Sequence, residues 1–352
     1  MSKARRLSIH LLALLCMVLL ACACGDNRRE YRLEGRTMGT AYSVLFVLEP
    51  GVSLDDVSQA VTSELKAVND SMSVFDPQSE ISRFNAMTAA GTQSEPFAAS
   101  AAFYAVMAQA RDLYVLTGGA WDGTVMPLVN LWGFGPQGAN SEPPDAKDID
   151  MLLAGIGFDK IALGPDRTLV KRDNVSVDLA SIAKGYGVDR IVQTLDALGL
   201  KSFLVEIGGE VYARGMKLNG KKWRVGINRP DVNALAGEIY AVTELSDRAL
   251  ATSGNYRNFF VADGKTYAHI LDPRTGYPVE TDVVSVSVVA SACAKADGLA
   301  TAMSVLGVQE SLALADADPD VEVFIITREP NGALANHLSR GMAQYLADEN
   351  GS

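Results

Sequence analysis

Apolar residues recur with a helical period at Leu54, Val57, Val61, Leu65 and Val68, which predicts a helix over residues 54–72. A second, Ala-rich helix is expected over residues 97–116, closed by Gly118 and Gly119. A strand over 175–179 leads into a helix over 183–198, and a last helix covers 292–306. Residues 31–48 read as one long strand or a strand pair, broken at Met38-Gly39-Thr40. Residues 160–171 form a hairpin-like stretch turning at Gly164-Pro165-Asp166. Further strands are expected at 203–207, ending in Gly208-Gly209, and at 223–227, 239–245 and 321–327. Residues 283–289 alternate apolar side chains with serine, as a half-buried strand does. Residues 136–144 are a Gly/Pro/Asn surface loop. Strands and helices mix without a regular βαβ period. The expected fold class is therefore α+β, one domain of mixed strands and helices and not a doubly wound sheet.

The first residues change this picture. Lys3, Arg5 and Arg6 precede a nearly continuous apolar run over residues 7–21, too short for a comfortable membrane span. The run ends Leu-Leu-Ala-Cys at Cys22, like a bacterial lipobox, and Cys24 is a weaker alternative. The expected layout is a signal peptide over 1–21, a lipidated Cys22 with a tether over 22–30, and a catalytic domain over 31–352. An uncleaved anchor helix or plain secretion are the alternatives.

The whole chain has 352 residues, 48% of them hydrophobic, and a formal charge of −11, which argues against nucleic acid as a partner. Of four cysteines only Cys293 lies beyond the N-terminal segment, so neither a disulfide framework nor a Cys-rich zinc site is expected in the fold. No Gly-x-Gly-x-x-Gly follows an expected strand, and the P-loop, His-Glu-x-x-His and Gly-x-Ser-x-Gly signatures are missing from the sequence.

Asp297 and Thr301 lie four apart in the last helix and project from one face. A carboxylate and a hydroxyl so placed suit a hard cation such as Mg²⁺. The same segment also reads as a packed Ala-rich helix with an acid near its start. His269 opens the stretch HILDPRTGYP, where Asp272, Pro273, Arg274 and Gly276 form a turn. A histidine there suits a general base, although a lone histidine is commonly structural. The segment DLASIAKGYGVD, residues 178–189, runs into a helix start whose free N–H groups, with Lys184, suit a phosphate. It is equally a plain strand-to-helix turn. The stretch from Gly118 to Gly135 interleaves glycines with Trp121, Trp132 and Phe134, which can wall a flat ring or pack a loop.

These pieces, in this order, resemble the ApbE family of FAD:protein FMN transferases. The resemblance rests on MGT at Met38, SEISRFN at 79–85, AWDGTVMPLVNLWGFG from Ala120, DLASIAKGYGVD, IGGEVYARG from Ile207, TSGNY at 252–256, HILDPRTG and ADGLATA at 296–302. It implies an ApbE-like catalytic domain that binds FAD, splits its pyrophosphate with Mg²⁺ and transfers FMN to a Thr or Ser hydroxyl of another protein, releasing AMP. The acceptors implied are redox proteins facing the periplasm, and the enzyme is implied to be a lipoprotein of the bacterial cell envelope. By motif, Asp297 and Thr301 would be side-chain metal ligands, with Ala300 and Ser181 at the same metal through backbone oxygen. Met38, Ala120, Trp121, Asp122, Asp178, Lys184 and Ile270 would line the FAD site. Phe75 stands where the family places a tyrosine against the flavin. His269 is the candidate base, with Asp272 as an orienting or substitute group. At Ala180-Ser181 the family usually has Gly-Gly, and that departure bears on metal affinity.

Two rivals remain from sequence. One is a hydrolase that gives FMN and AMP. The other is a flavin-binding lipoprotein without catalysis.

Overall fold

The Met38-Gly39 break is the tip of a hairpin. Strands β1 (Glu30–Thr37) and β2 (Thr40–Val47) pair antiparallel with Thr37 opposite Thr40. Both tip residues have positive φ, 48° at Met38 and 73° at Gly39, as a two-residue turn matched to the strand twist requires. This is a computed structural model of the chain, describing residues 28–89, 93–135, 142–231, 234–235, 237–254, 259–262 and 264–347. The lipobox, Asn255 and Tyr256 of TSGNY, and most of the 136–144 loop lie outside them.

Helices α1 (Leu54–Met72) and α2 (Glu80–Ala86) follow, then strand β3 (Phe97–Ala98) and helices α3 (Ala101–Leu116), α4 (Met126–Leu131) and α5 (Ala146–Leu153). Strands β4 (Ile161–Leu163) and β5 (Thr168–Lys171) form the expected hairpin, and β5 also pairs with β3. After helix α6 (Ala180–Ala197) come β6 (Phe203–Ile207), β7 (Glu210–Arg214), β8 (Trp223–Asn228), β9 (Ile239–Leu245) and β10 (Arg248–Gly254). The chain continues through β11 (Phe259–Ala262), β12 (Lys265–Ala268), β13 (Val283–Ala290), helix α7 (Cys293–Ala317), β14 (Glu322–Arg328) and β15 (Leu334–Leu338).

The main sheet has eight strands in the order β1-β2-β6-β7-β10-β13-β14-β15. Every neighbouring pair in it is antiparallel. Helices α6 and α7 pack together across one face, sharing an apolar cluster with Val205, Ile207, Val286 and Val288. The β8–β9 hairpin and Met342 cover the other face, against Leu250, Val289 and Phe324. The fold is thus α+β and not doubly wound.

Four expectations change. The helix expected from residue 97 starts at Ala101, because Ser100 caps it by accepting the Phe103 N–H at 3.1 Å. Among the described residues, 175–179 pair with no strand. Instead the Asn85 side chain bonds both backbone groups of Val177, at 2.8 Å each. Helix α6 begins at Ala180, three residues early, which brings Ser181 and Lys184 onto it. Strand β13 is buried on both faces, since helices cover one and the β8–β9 hairpin the other.

Helix α7 is long and apolar, yet half of its most apolar window is buried inside the fold. It breaks at Gly307, whose φ of 76° and ψ of −176° are not helical. The break falls where the apolar pattern predicts the helix to end.

Candidate active site

Two cavities meet above the α6–α7 face. The first, about 390 Å³, is walled by Ala120, Trp121 and Asp122, by Ser181, Lys184 and Glu210, by His269 and Ile270, and by Asp297 and Thr301. The second, about 260 Å³, lies between the hairpin tip and the end of α1, against Met38, Val68, Met72 and Phe75. Asp178, Ala180 and Lys184 line both. A ligand long enough to occupy both must therefore pass Lys184 and the start of α6. Helix starts present unbonded N–H groups and positive dipole potential, both favourable to phosphate.

The charged centre sits where α6, α7 and β7 converge. Lys184 Nζ is 2.9 Å from Glu210 Oε1 and 3.8 Å from Asp297 Oδ1. The other Asp297 oxygen, Oδ2, accepts the Gly185 N–H at 3.1 Å. Burial opposes the charge on Lys184, but Asp297 and Glu210 overcome it and hold the ammonium well above lysine's ordinary pKa. Burial raises the Asp297 carboxyl, against the pull of Lys184 and the Gly185 N–H. Burial and the neighbouring Asp297 push Glu210 up to about 7 despite Lys184. Glu210 Oε2 is shielded from solvent and has no hydrogen-bond partner among the described residues. Hydroxyls complete this corner: Ser253 Oγ lies 3.3 Å from Thr301 Oγ1, and Ser181 Oγ accepts the Trp121 indole N–H at 2.9 Å.

The loops are built to present the remaining groups. Asp122 Oδ1 accepts from the Thr124 N–H and hydroxyl, each at 2.7 Å, and its Oδ2 accepts from the Phe158 N–H at 3.3 Å. Burial raises its pKa while these bonds oppose the rise. Asp178 accepts the Ala180 N–H at 2.7 Å, and burial raises it too. The HILDPRTGYP segment closes on itself: Val279 N–H donates to the Ile270 carbonyl, and Asp272 N–H to the Tyr277 carbonyl, both at 2.9 Å. Trp132 pins it by donating to the Gly276 carbonyl at 2.8 Å. His269 leans edge-on toward Phe134, with ring centroids 6.4 Å apart.

Most residues singled out from sequence converge here, but two sit differently. Asp272 does not line the cavity. Its oxygens accept from the Arg274 N–H and guanidinium at 2.8 to 2.9 Å, so it shapes the turn that carries His269. Ala300 is fully buried in the core and its carbonyl accepts the Ser304 hydroxyl at 2.9 Å. Glu210 was missed. It lies inside IGGEVYARG, and its position after a Gly-Gly turn gives no local signal of a charged partner. Among the described residues no group of three or more His, Cys, Asp or Glu side chains forms a metal cluster.

The profile of the ApbE family matches residues 38–325. The chain belongs to the ApbE family. An FAD:protein FMN transferase of Vibrio cholerae is 39% identical over 322 residues, covering 91% of this chain and 94% of the relative. A Haemophilus influenzae FAD:protein FMN transferase is 39% identical over 336 residues, covering 92% and 94%. The crystal structure of the Pseudomonas stutzeri flavinyl transferase ApbE, apo form, superposes with a TM-score of 0.81 at 34% identity, covering 90% of this chain and 97% of that one.

Proposed function

We infer that this ApbE-family chain is an FAD:protein FMN transferase. It splits the pyrophosphate of FAD, places the FMN half on a protein hydroxyl and releases AMP. One observation carries this reading at the site: a pair of cavities joined at Asp178, Ala180 and Lys184, where a dinucleotide would lay its phosphates. Phe75, 79% exposed at the mouth of the second cavity, offers an uncovered ring for the isoalloxazine to stack on.

The reading includes Mg²⁺, supported by donor chemistry. Asp297 Oδ1, Thr301 and Ser181 are oxygen donors, and Mg²⁺ commonly takes one or two carboxylates and completes its shell with substrate phosphate and water. Bound there, it would neutralise charge on the transferring phosphoryl group and the departing AMP. Lys184 holds a permanent positive charge toward the same phosphates. His269 takes the proton from the acceptor Thr or Ser hydroxyl as it attacks. The acceptor is a redox protein facing the periplasm. Cys22 carries the lipid that keeps the enzyme on the cell envelope, and Cys22→Ala is expected to release it from membranes.

The test is incubation of the protein with FAD and a threonine-bearing acceptor domain, with and without Mg²⁺. An acceptor heavier by one FMN, with AMP released only when Mg²⁺ is present, is the expected result. Free FMN with an unmodified acceptor would mean a hydrolase, and intact bound FAD would mean a carrier.

A further inference from the structure

Glu210 is a costly residue for the fold. Its Oε1 is bonded to Lys184 at 2.9 Å, but Oε2 is buried without a partner. A buried oxygen left without a hydrogen bond is destabilising, and more so when charged. Replacing a buried ion pair by well-packed hydrophobic residues of similar volume is often neutral for stability. A carboxylate kept there under these conditions points to a role in the site.

Its neighbours show which. Asp297 has one oxygen occupied by the Gly185 N–H, so Oδ1 is the one left for a cation. Lys184 stands 3.8 Å from that same oxygen, outside hydrogen-bond distance, while its ammonium is 2.9 Å from Glu210 Oε1. We propose that Glu210 is a positioning residue that keeps the Lys184 ammonium off Asp297 Oδ1, leaving that oxygen open to a divalent cation. Without Glu210, Lys184 closes onto Asp297 and competes with the metal. This rests on Asp297 being a cation ligand.

The test measures metal binding apart from turnover. Mn²⁺ is titrated, alone and with AMP, into wild type, Glu210→Ala, Glu210→Gln, Lys184→Ala, the Glu210→Ala/Lys184→Ala double variant and Asp297→Asn, following free Mn²⁺ by electron paramagnetic resonance. Glu210→Ala is expected to bind Mn²⁺ at least tenfold more weakly. Glu210→Gln, which keeps the shape but holds the ammonium less firmly, shifts the same way and carries the test if the alanine variant fails to fold. The double variant is expected to bind as Lys184→Ala does, because the competing ammonium is gone. Wild-type affinity in both single Glu210 variants overturns the proposal. So does a double variant as weak as Glu210→Ala, which would make Glu210 itself a ligand. An Asp297→Asn variant that binds as wild type does overturns the metal reading, and this proposal with it.

Discussion

The Asp189 carboxylate on α6 caps the start of α7, accepting the Cys293 N–H at 2.7 Å and the Ala294 N–H at 2.9 Å. Ala292, at the capping position of α7, has no side chain able to do this. The bond returned from α7 to α6 is Gly185 N–H to Asp297. The two helices that carry Lys184, Asp297 and Thr301 are therefore tied at two levels, and the spacing of the charged centre depends on both.

The Asp189 tie is pH-dependent. Burial raises its carboxyl from 3.8 to about 6, outweighing the two N–H bonds. A raised folded-state pKa means the folded protein holds the proton longer than the unfolded chain. The contribution of Asp189 is thus fully present below pH of about 4 and lost as pH rises through about 6. Across that window it changes by about 3 kcal/mol. Asp189→Asn does not titrate, so the stability of wild type relative to this variant should fall between pH 4 and 7 in urea melts. A constant difference across that range would show that Asp189 does not titrate as its burial requires.

His269 should separate binding from chemistry. His269→Ala is expected to bind FAD as wild type does while single-turnover flavinylation of the acceptor slows by about 10²- to 10⁴-fold, the usual contribution of a general base. Unchanged transfer would remove His269 from the reaction. Loss of FAD binding in step with activity would make it a binding residue.

Phe75 should act on affinity. Its ring is mostly exposed and makes little contribution to the core, so Phe75→Ala is expected to leave the melting temperature unchanged. The dissociation constant for FAD, read from flavin fluorescence, should rise about five- to tenfold, in line with an aromatic pair worth about 1 kcal/mol. Phe75→Tyr should bind as wild type does.

Much of this was legible in the sequence, for identifiable reasons. Helix α1 shows because only one of its faces is buried, and β6 because its apolar run stops at a Gly-Gly turn. The strand following that turn was invisible: Glu210–Arg214 is buried on nearly every position and so shows no alternation. Strand β10, Arg248–Gly254, is built from Arg, Leu, Ala, Thr, Ser and Gly and is held by β7 and β13 on either side. Its partners supply what its own propensity lacks. At the site, Asp297, Thr301 and His269 were found because each stands in a distinctive local run. Glu210 and Asp189 act through residues 26 and 104 positions away, at Lys184 and Cys293, and nothing local marks them.

Gly185 gives the sharpest test of how closely α6 and α7 must approach. It lies mid-helix, where alanine would raise intrinsic helix stability by about 1 kcal/mol. A Cβ added there would stand 2.5 Å from the Cys293 carbonyl oxygen and 2.8 Å from the Ala294 Cα, both backbone atoms that cannot rotate away. The helices must separate, and overpacking of this kind costs about 1–3 kcal/mol. The strain falls at the Asp189 cap and at the residue whose own N–H bonds Asp297. Gly185→Ala is therefore expected to melt lower than wild type despite its better helix former, and to need a higher Mg²⁺ concentration for half-maximal transfer. A variant that melts higher, with the same Mg²⁺ requirement, would mean that the two helices tolerate a wider spacing than this interface implies.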